Sequence, residues 1–338
     1  MGVTQKNVAD RAGVTRSVVS HVLHGGAGTI RVSPATAEHV RRVAMEMGYQ
    51  PNAYARNFRQ RRTGMIGVVH GDGFPRLRFG NGSAYFSVLM DGIIDGAFEH
   101  GYTVGICPDL FGRNPESAMA DGRFDGFIWY STHTAGETEQ RINRCTAPMV
   151  LLHWKAKQFN ERFPTVICDN EEGIRLAIDH LAEHGHRQIG FVFDGRCRSV
   201  ESELRHEIVI AQGRRLGLTI ASLDLTDREH ALEAYFMSSP KETALIAHSE
   251  EYAVEAMHVA QSNGFRIPDH MSIIGFDSTV YCLSQTPPLT SISQPLEAMA
   301  MQAVDMLIDL IEGRKSECIE AVFPCGLDIR GSTGPARI

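Results

Sequence analysis

Between Thr4 and His24 the apolar positions recur at helical spacing in two short runs. Val8, Ala9 and Ala12 form the first; Gly13 interrupts; Val14, Val18, Val19 and Val22 form the second. The pattern predicts a helix, a tight turn and a second helix. Gly13 is free to take the left-handed conformation that the turn requires, and Thr15 stands where an N-cap belongs. After Gly25, Gly26 and Gly28, Ser33-Pro34 marks a third start, Ser as cap and Pro at the first helical position. Ala37, Val40, Val43, Ala44 and Met47 make that helix's buried stripe, Arg41 and Arg42 lie on its other side, and Gly48 ends it. Residues 1–50 are therefore predicted to form a three-helix domain close to the lower size limit for independent folding. Residues 51–62 carry little apolar surface and are too short for a stable isolated helix, so they read as a basic linker.

From Met65 the period changes. Apolar runs of strand length are predicted near 65–69, 103–107, 124–129 and 149–154, with a helix over 84–100 and helical patches between. A second series starts at Val166, with strands at 166–168, 188–193, 218–224, 243–247 and 271–276 and helices near 171–184, 200–215, 228–237 and 250–263. Alternating strand and helix means parallel sheets with helices on both faces. The fold expected is multidomain α and α/β: a helical head and two doubly wound parallel-sheet subdomains in tandem. The helix at 296–312 and the strand near 319–323 are read as returning to the first unit. The boundaries expected are 1–50, 51–62, then 63–165 with 293–323, and 166–292 with 324–338.

Charge sharpens this division. Residues 1–62 hold ten Lys/Arg and three Asp/Glu, +7, while the rest of the chain holds 23 and 37, −14. A basic head on an acidic body points to a head that meets a polyanion. Apolar content of 43% and charged content of 22% over 338 residues is that of an ordinary globular protein of more than one domain. The chain shows no apolar run of membrane-spanning length and no apolar leader, so a cytoplasmic protein is expected. The seven cysteines, at 107, 145, 168, 197, 282, 318 and 325, form no Cys-x-x-Cys pair. That spacing argues against a disulfide framework or a zinc site.

Helix, turn and helix with polar and basic groups outward is the arrangement that lays its second helix in a DNA major groove; a plain pair of surface helices shares the same spacing. Phe58, an aromatic in the basic linker, reads either as a wedge between base steps or as a hinge anchor packed on the body. Trp129 and Trp154 end two strands, where they would stack on a sugar ring or fill the core. His184 and His186 flank Gly185 with no third ligand in view, and read as a solvated turn rather than a metal pair. Gly-x-Gly-x-x-Gly after the first strand, Gly-x-Ser-x-Gly and the phosphate-cradling Gly-Lys-Ser/Thr loop are all absent, so neither an enzyme nor a cofactor is expected.

Six segments, in order, carry a resemblance: VADRAGVTRSVVSHVL, VSPATAEHVRRVAMEMGYQPNAYAR, GMIGVV, ICDNEEGIRLAIDHLAEHGHRQIGFV, RIPDHMSIIGFDS and PPLTSISQPLEAMAMQAVDMLI. Over nearly its whole length the chain resembles the LacI/GalR family of bacterial transcriptional regulators. The resemblance implies a homodimer with a helix-turn-helix head, a hinge helix and a periplasmic-binding-protein-like core. It implies sequence-specific binding to a double-stranded, pseudo-palindromic operator. A small effector, most often a sugar, would control that binding from between the core subdomains. A repressor is expected; the alternative is a binding protein of periplasmic type that does not touch DNA.

The resemblance also assigns residues. The recognition helix opens at Thr15, and its base-reading positions fall on Arg16, Ser17 and His21, with Arg common in the family where His21 stands. Thr4, Ser20, Asn52 and Ala55 join the DNA-facing set, and Phe58 takes the wedge position usually held by leucine. Tyr54 falls where two hinge helices meet. In the core, Asp169, Arg205 and Asp277 match polar positions of the effector cleft, and Phe86 an aromatic beside it.

Overall fold

The computed structural model describes residues 3–24, 30–50, 62–70, 84–107, 119–130, 136–155, 157, 161–195, 200–227, 230–314 and 318–337. The chain divides into two compact units, 1–63 and 64–338.

In the first unit, α1 (Gln5–Ala12), α2 (Arg16–His24) and α3 (Pro34–Glu46) enclose a small core of Val8, Ala9, Ala12, Val19, Val40, Val43 and Ala44. Thr4 and Asn7 form a reciprocal capping box at the start of α1, and Gly13 closes it in the left-handed conformation, φ 66°. The Thr15 hydroxyl accepts the Val18 N–H at 3.4 Å, and that of Ser33 the Thr36 N–H at 3.1 Å. With so few apolar residues to bury, caps worth about 1 kcal/mol each matter here.

The second unit contains β1 (Met65–His70), α4 (Ala84–Glu99), β2 (Thr103–Cys107), β3 (Gly126–Tyr130), α5 (Gly136–Arg144), β4 (Met149–Leu152), β5 (Thr165–Cys168) and α6 (Asn170–Glu183). It continues through β6 (Gln188–Phe193), α7 (Val200–Leu216), β7 (Thr219–Asp224), α8 (Ala231–Met237), β8 (Ala244–Ala247), α9 (Glu250–Ser262) and β9 (Ser272–Asp277). The last elements are α10 (Val280–Leu283), β10 (Thr290–Ser293), α11 (Leu296–Glu312), β11 (Glu320–Phe323) and β12 (Gly326–Asp328). One sheet has the order β11-β5-β4-β3-β1-β2, the other β12-β10-β9-β8-β6-β7. All pairings are parallel except β10 with β12. Strands such as β3 and β9 are buried along their whole length, which is why their sequences are continuous apolar runs.

The helix α11 and strand β11 do return to the first sheet. In the middle of α4, a Cβ on Gly92 would lie 2.4 Å from the Glu297 carbonyl oxygen of α11, so the two helices meet backbone to backbone at that point. One expected boundary moves. Residues 165–168 pair with β4 and β11, so they belong to the first sheet, and the chain crosses only after Cys168. Three passages join the sheets: β5 to α6, β10 to α11, and β11 to β12. Among the described residues no helix is long and apolar enough to cross a membrane.

Candidate functional site

Two places concentrate exposed or paired polar chemistry. The first is α2 of the helical head. Val19 points inward at 0% exposure, so the opposite side of the helix is the solvent face. Thr15, Arg16 and Ser17 are exposed at the start of α2, with Ser20 and His21 half-buried one turn on. Arg16 and Ser20, and Ser17 and His21, stand four apart and so share one stretch of surface. Thr4 is exposed at the start of α1. Asn52, Tyr54, Ala55 and Phe58 lie outside the described residues.

The second place is where β4, β5 and β11 of the first sheet end beside α7. An open cavity of about 210 Å³ there is lined by His153, Lys155, Asp169, Asn170, Glu201 and Leu204 among others. Ligands collect at such carboxyl ends because loops and helix N-termini converge on them.

Arg205, on α7, is 5% exposed. Its Nε donates to Asn170 Oδ1 at 2.7 Å, its Nη1 to the His248 carbonyl at 2.6 Å, and its Nη2 reaches Glu201 Oε2 at 3.4 Å. The guanidinium lies over the Phe276 ring, 3.4 Å from its centroid. Burial works against the charge of Arg205, but Glu201, Cys168, Asp277 and Tyr85 together outweigh it and raise the pKa. Burial raises the Glu201 carboxyl in turn, opposed by Arg205 and by Asn170, whose Nδ2 donates to it at 2.5 Å.

His153, just after β4, is held in the left-handed backbone region, φ 66°, and is 4% exposed. Such strain in a non-glycine residue persists only where its surroundings over-determine it. Its Nε2 shares a hydrogen bond with the Tyr85 hydroxyl, and its Nδ1 lies 3.8 Å from Glu201 Oε1. Burial, aided by the Arg205 charge, lowers its pKa to about 3, so the ring is neutral at neutral pH. Burial also pushes the Tyr85 phenol well up. The two protonation states then assign the hydrogen: Tyr85 donates to Nε2, and Nδ1–H faces Glu201.

Asp277 ends β9 with φ 109° and 7% exposure. Its Oδ1 accepts from Gln294 Nε2 at 2.6 Å. Burial pushes this carboxyl well above the usual range; Arg205 opposes the shift and Glu250 adds to it. The buried Glu250 also holds the turn that follows, accepting the Thr279 N–H at 2.8 Å and the Thr279 hydroxyl. Asp169 does two things at once: its Oδ1 caps α6 by accepting the Glu172 N–H at 3.0 Å, and the residue lines the cavity.

Asp169 and Arg205 thus lie at the cavity or one contact from it, and Asp277 faces Arg205. The aromatic expectations need correction. Trp129 and Trp154 are 0% exposed and fill a separate core with Phe127, Ile142, Met149, Leu151 and Phe163. The two-residue alternation of β3 decides this, sending Trp129 to one face of the sheet and Tyr130 to the other. Phe86 is packed in the main core, 5.6 Å from the Tyr130 ring, and its neighbour Tyr85 is the aromatic that reaches His153. His186 is not part of a solvated turn. It is 1% exposed and bridges the Thr243 hydroxyl at 2.7 Å and the Gly334 carbonyl at 3.0 Å. Among the described residues no cluster suited to a metal ion occurs. Tyr85, His153, Glu201 and Gln294 were not foreseen. For Glu201 the signal available was its i,i+4 spacing from Arg205 on one helix.

Residues 4–52 match the family model for bacterial regulatory proteins of the lacI family, and residues 178–333 that for a periplasmic binding protein-like domain. The chain is 28% identical to the HTH-type transcriptional regulator CelR of Thermobifida fusca, covering 97% of this chain and 98% of that one. A solved CelR–cellobiose complex superposes with a TM-score of 0.70 at 25% identity, covering 98% and 99% of the two chains. The Lac repressor dimer bound to operator and the anti-inducer ONPF superposes with a TM-score of 0.80 at 23% identity, covering 99% and 100%.

Proposed function

With a LacI-family DNA-binding domain at its head and a periplasmic-binding-protein-like core behind it, the chain is a LacI-family regulator, and we propose that it represses transcription by gripping an operator with a firmness set by a small sugar-like effector in the core. The observation that carries this reading is the joining, in one chain, of an exposed recognition face at Thr15, Arg16 and Ser17 to a polar cavity at the strand ends. Relatives named as regulators support it, and the sugar is suggested by cellobiose in the CelR complex. The acting form is a homodimer in the cytoplasm, each head reading one half of a pseudo-palindromic site. The effector works only through its different affinity for two conformations of the core. Residues 51–62 transmit that difference to the heads, with Asn52, Ala55 and Phe58 on the minor groove.

In the major groove, Arg16 pairs bidentately with a guanine edge, Ser17 serves several bases, and His21 offers one donor when neutral. Thr4, Thr15 and Ser20 approach the backbone. The test is operator binding by fluorescence anisotropy across a salt series. Affinity falls steeply with salt, because each phosphate contact releases counterions. Arg16→Ala changes which sequence is preferred, at about 1–3 kcal/mol per lost base contact, whereas Arg62→Ala weakens all sequences alike. A flat salt dependence would defeat the reading.

A further inference from the structure

Two of the seven cysteines meet at the junction between the sheets. Cys168 is the last residue of β5, just before the first passage to the second sheet, and Cys325 lies in the passage from β11 to β12. They stand far apart in the chain and are brought together by the parallel pairing of β5 with β11, which ends on the register partners Cys168 and Phe323. The Asp169 N–H fastens that end by donating to the Phe323 carbonyl at 2.8 Å. Both thiols are buried, at 1% and 6% exposure, in one apolar cluster, and their side chains are hydrogen-bonded to each other. Gly173, early in α6, makes the room: a Cβ there would lie 3.1 Å from Cys325 Cβ and 3.4 Å from its Sγ.

A buried cysteine often serves simply as a small apolar residue. The other described cysteines turn their thiols to different partners. Cys107, Cys145 and Cys318 face backbone carbonyls, and Cys282 faces the Glu250 carboxylate at 3.1 Å. Cys168 and Cys325 instead face one another, and both stand at passages between the sheets. Cys168 also lines the open cavity, which gives a small solute a route to the pair. The hydrogen bond with Cys325, and then burial, raise the Cys168 thiol well above its usual pKa. Cys168 therefore keeps its proton at neutral pH, and the pair reacts slowly until an oxidant is in place.

We propose that Cys168 and Cys325 are a reversible dithiol switch, closed to a disulfide by hydrogen peroxide or an organic peroxide, which staples two of the three passages together and fixes the two lobes of the core relative to each other. In the first step one sulfur gives up its proton and attacks the peroxide. An S–O bond forms, the O–O bond breaks, and the departing oxygen takes that proton and leaves as water, or as an alcohol from an organic peroxide. The second sulfur then displaces the sulfenyl oxygen. The S–S bond forms, the S–O bond breaks, and the second thiol proton leaves with that oxygen as water. The two thiols lose two electrons and two protons, and the peroxide is reduced. The sulfurs close from hydrogen-bond contact to about 2.0 Å. Exchange with a small thiol such as glutathione reopens the bond.

The first experiment maps the bond in the full chain. The protein is treated with hydrogen peroxide without denaturant, the remaining thiols are alkylated, and peptides are compared with and without dithiothreitol. Expected is a reducible cross-link between the peptides of Cys168 and Cys325, in a species that runs at single-chain mass on a denaturing gel, with Cys107, Cys145 and Cys282 still thiols. Exposed Cys318 reports that the oxidant was active. The proposal is overturned if Cys168 and Cys325 stay free, carry sulfinic acid, or join other cysteines.

The second experiment reads the lock by amide hydrogen exchange. Oxidation should slow exchange at least fivefold not only beside the two cysteines but also in the third passage, around Gln294 and Leu296, which carries neither of them. Dithiothreitol should restore the rates, and Cys325→Ala, which cannot form the bond, should not respond to peroxide. Should that variant fail to fold, the comparison of the parent chain with and without dithiothreitol serves alone. Slowing confined to residues beside the cysteines marks a local cross-link and overturns the lock. If the chain is the effector-controlled regulator proposed above, oxidation thereby overrides the effector. Both measurements are made on free protein, so they decide the switch whether or not that reading holds.

Discussion

The two walls of the cleft are made of different chemistry. The first sheet and its helix α4 contribute Tyr85, Tyr130 and His153, all neutral at neutral pH, their rings tilted or edge-on to one another at 5.8–6.2 Å. The second sheet and α7 contribute Glu201, Arg205 and Asp277, an ionic group buried as deeply as a core residue. The aromatic wall gives shape, and the polar tips of Tyr85 and His153 satisfy one another. The ionic wall is over-supplied with acceptors and stays stable only as a balanced set. Shape is therefore the business of one wall and hydrogen-bond demand that of the other.

Breaking the ionic wall should have the largest effect. Arg205→Ala leaves Glu201 without its buried partner, and removal of one member of such a pair costs about 3–5 kcal/mol. Chemical denaturation of the core should show this loss, while the helical head keeps its own transition.

Next in size is the pH response of the aromatic wall. His153 takes a proton at about pH 3 when folded but near its usual pKa of 6.5 when unfolded. Below 6.5 the unfolded chain therefore binds the extra proton, and stability falls as pH drops, by at most about 1.4 kcal/mol per pH unit. The raised carboxyls of Glu201 and Asp277 act in the opposite sense, since the folded state holds their protons more tightly. Comparison with His153→Asn isolates the histidine: between pH 6.5 and 5 the variant should gain on the parent by up to about 2 kcal/mol. Melting curves at stepped pH would check it, and parallel pH profiles would contradict it.

Smaller again is Tyr85→Phe, which removes the donor facing His153 Nε2 and should cost about 1–2 kcal/mol in melting experiments. The smallest effect on the cleft is that of Trp129→Phe. The indole lies on the other face of the first sheet, so effector affinity should stay within about twofold even as the core loosens.

Much of this fold was legible in advance. Strands 103–107 and 188–193 and the helix at 296–312 match their predicted bounds, because each is a long apolar pattern between glycine or turn residues. The strands β10 and β12, of four and three residues, were missed, since segments so short carry no period. The boundary placed at 166 failed for a related reason: an apolar run does not say which of two sheets will take it. In the cleft, Asp169, Arg205 and Asp277 came from family resemblance. Tyr85, His153, Glu201 and Gln294 did not, because their roles arise from tertiary neighbours 31 to 68 positions apart or from partners such as the end of β9. Trp129 was misplaced because a residue at a strand end reveals its face only through its register.

The three passages between the sheets have a mechanical consequence. Two of them leave the first sheet side by side, since β5 and β11 are paired up to Cys168 and Phe323, and the Asp169 N–H donates to the Phe323 carbonyl at 2.8 Å. The third carries Gln294, bonded to Asp277. Adjacent backbone tethers restrict two lobes to pivoting about a common axis rather than swivelling freely. Asp169 and Gln294 each lie in one of these passages, so their hydrogen bonds to Glu172 and Asp277 are made at the junction of the two sheets.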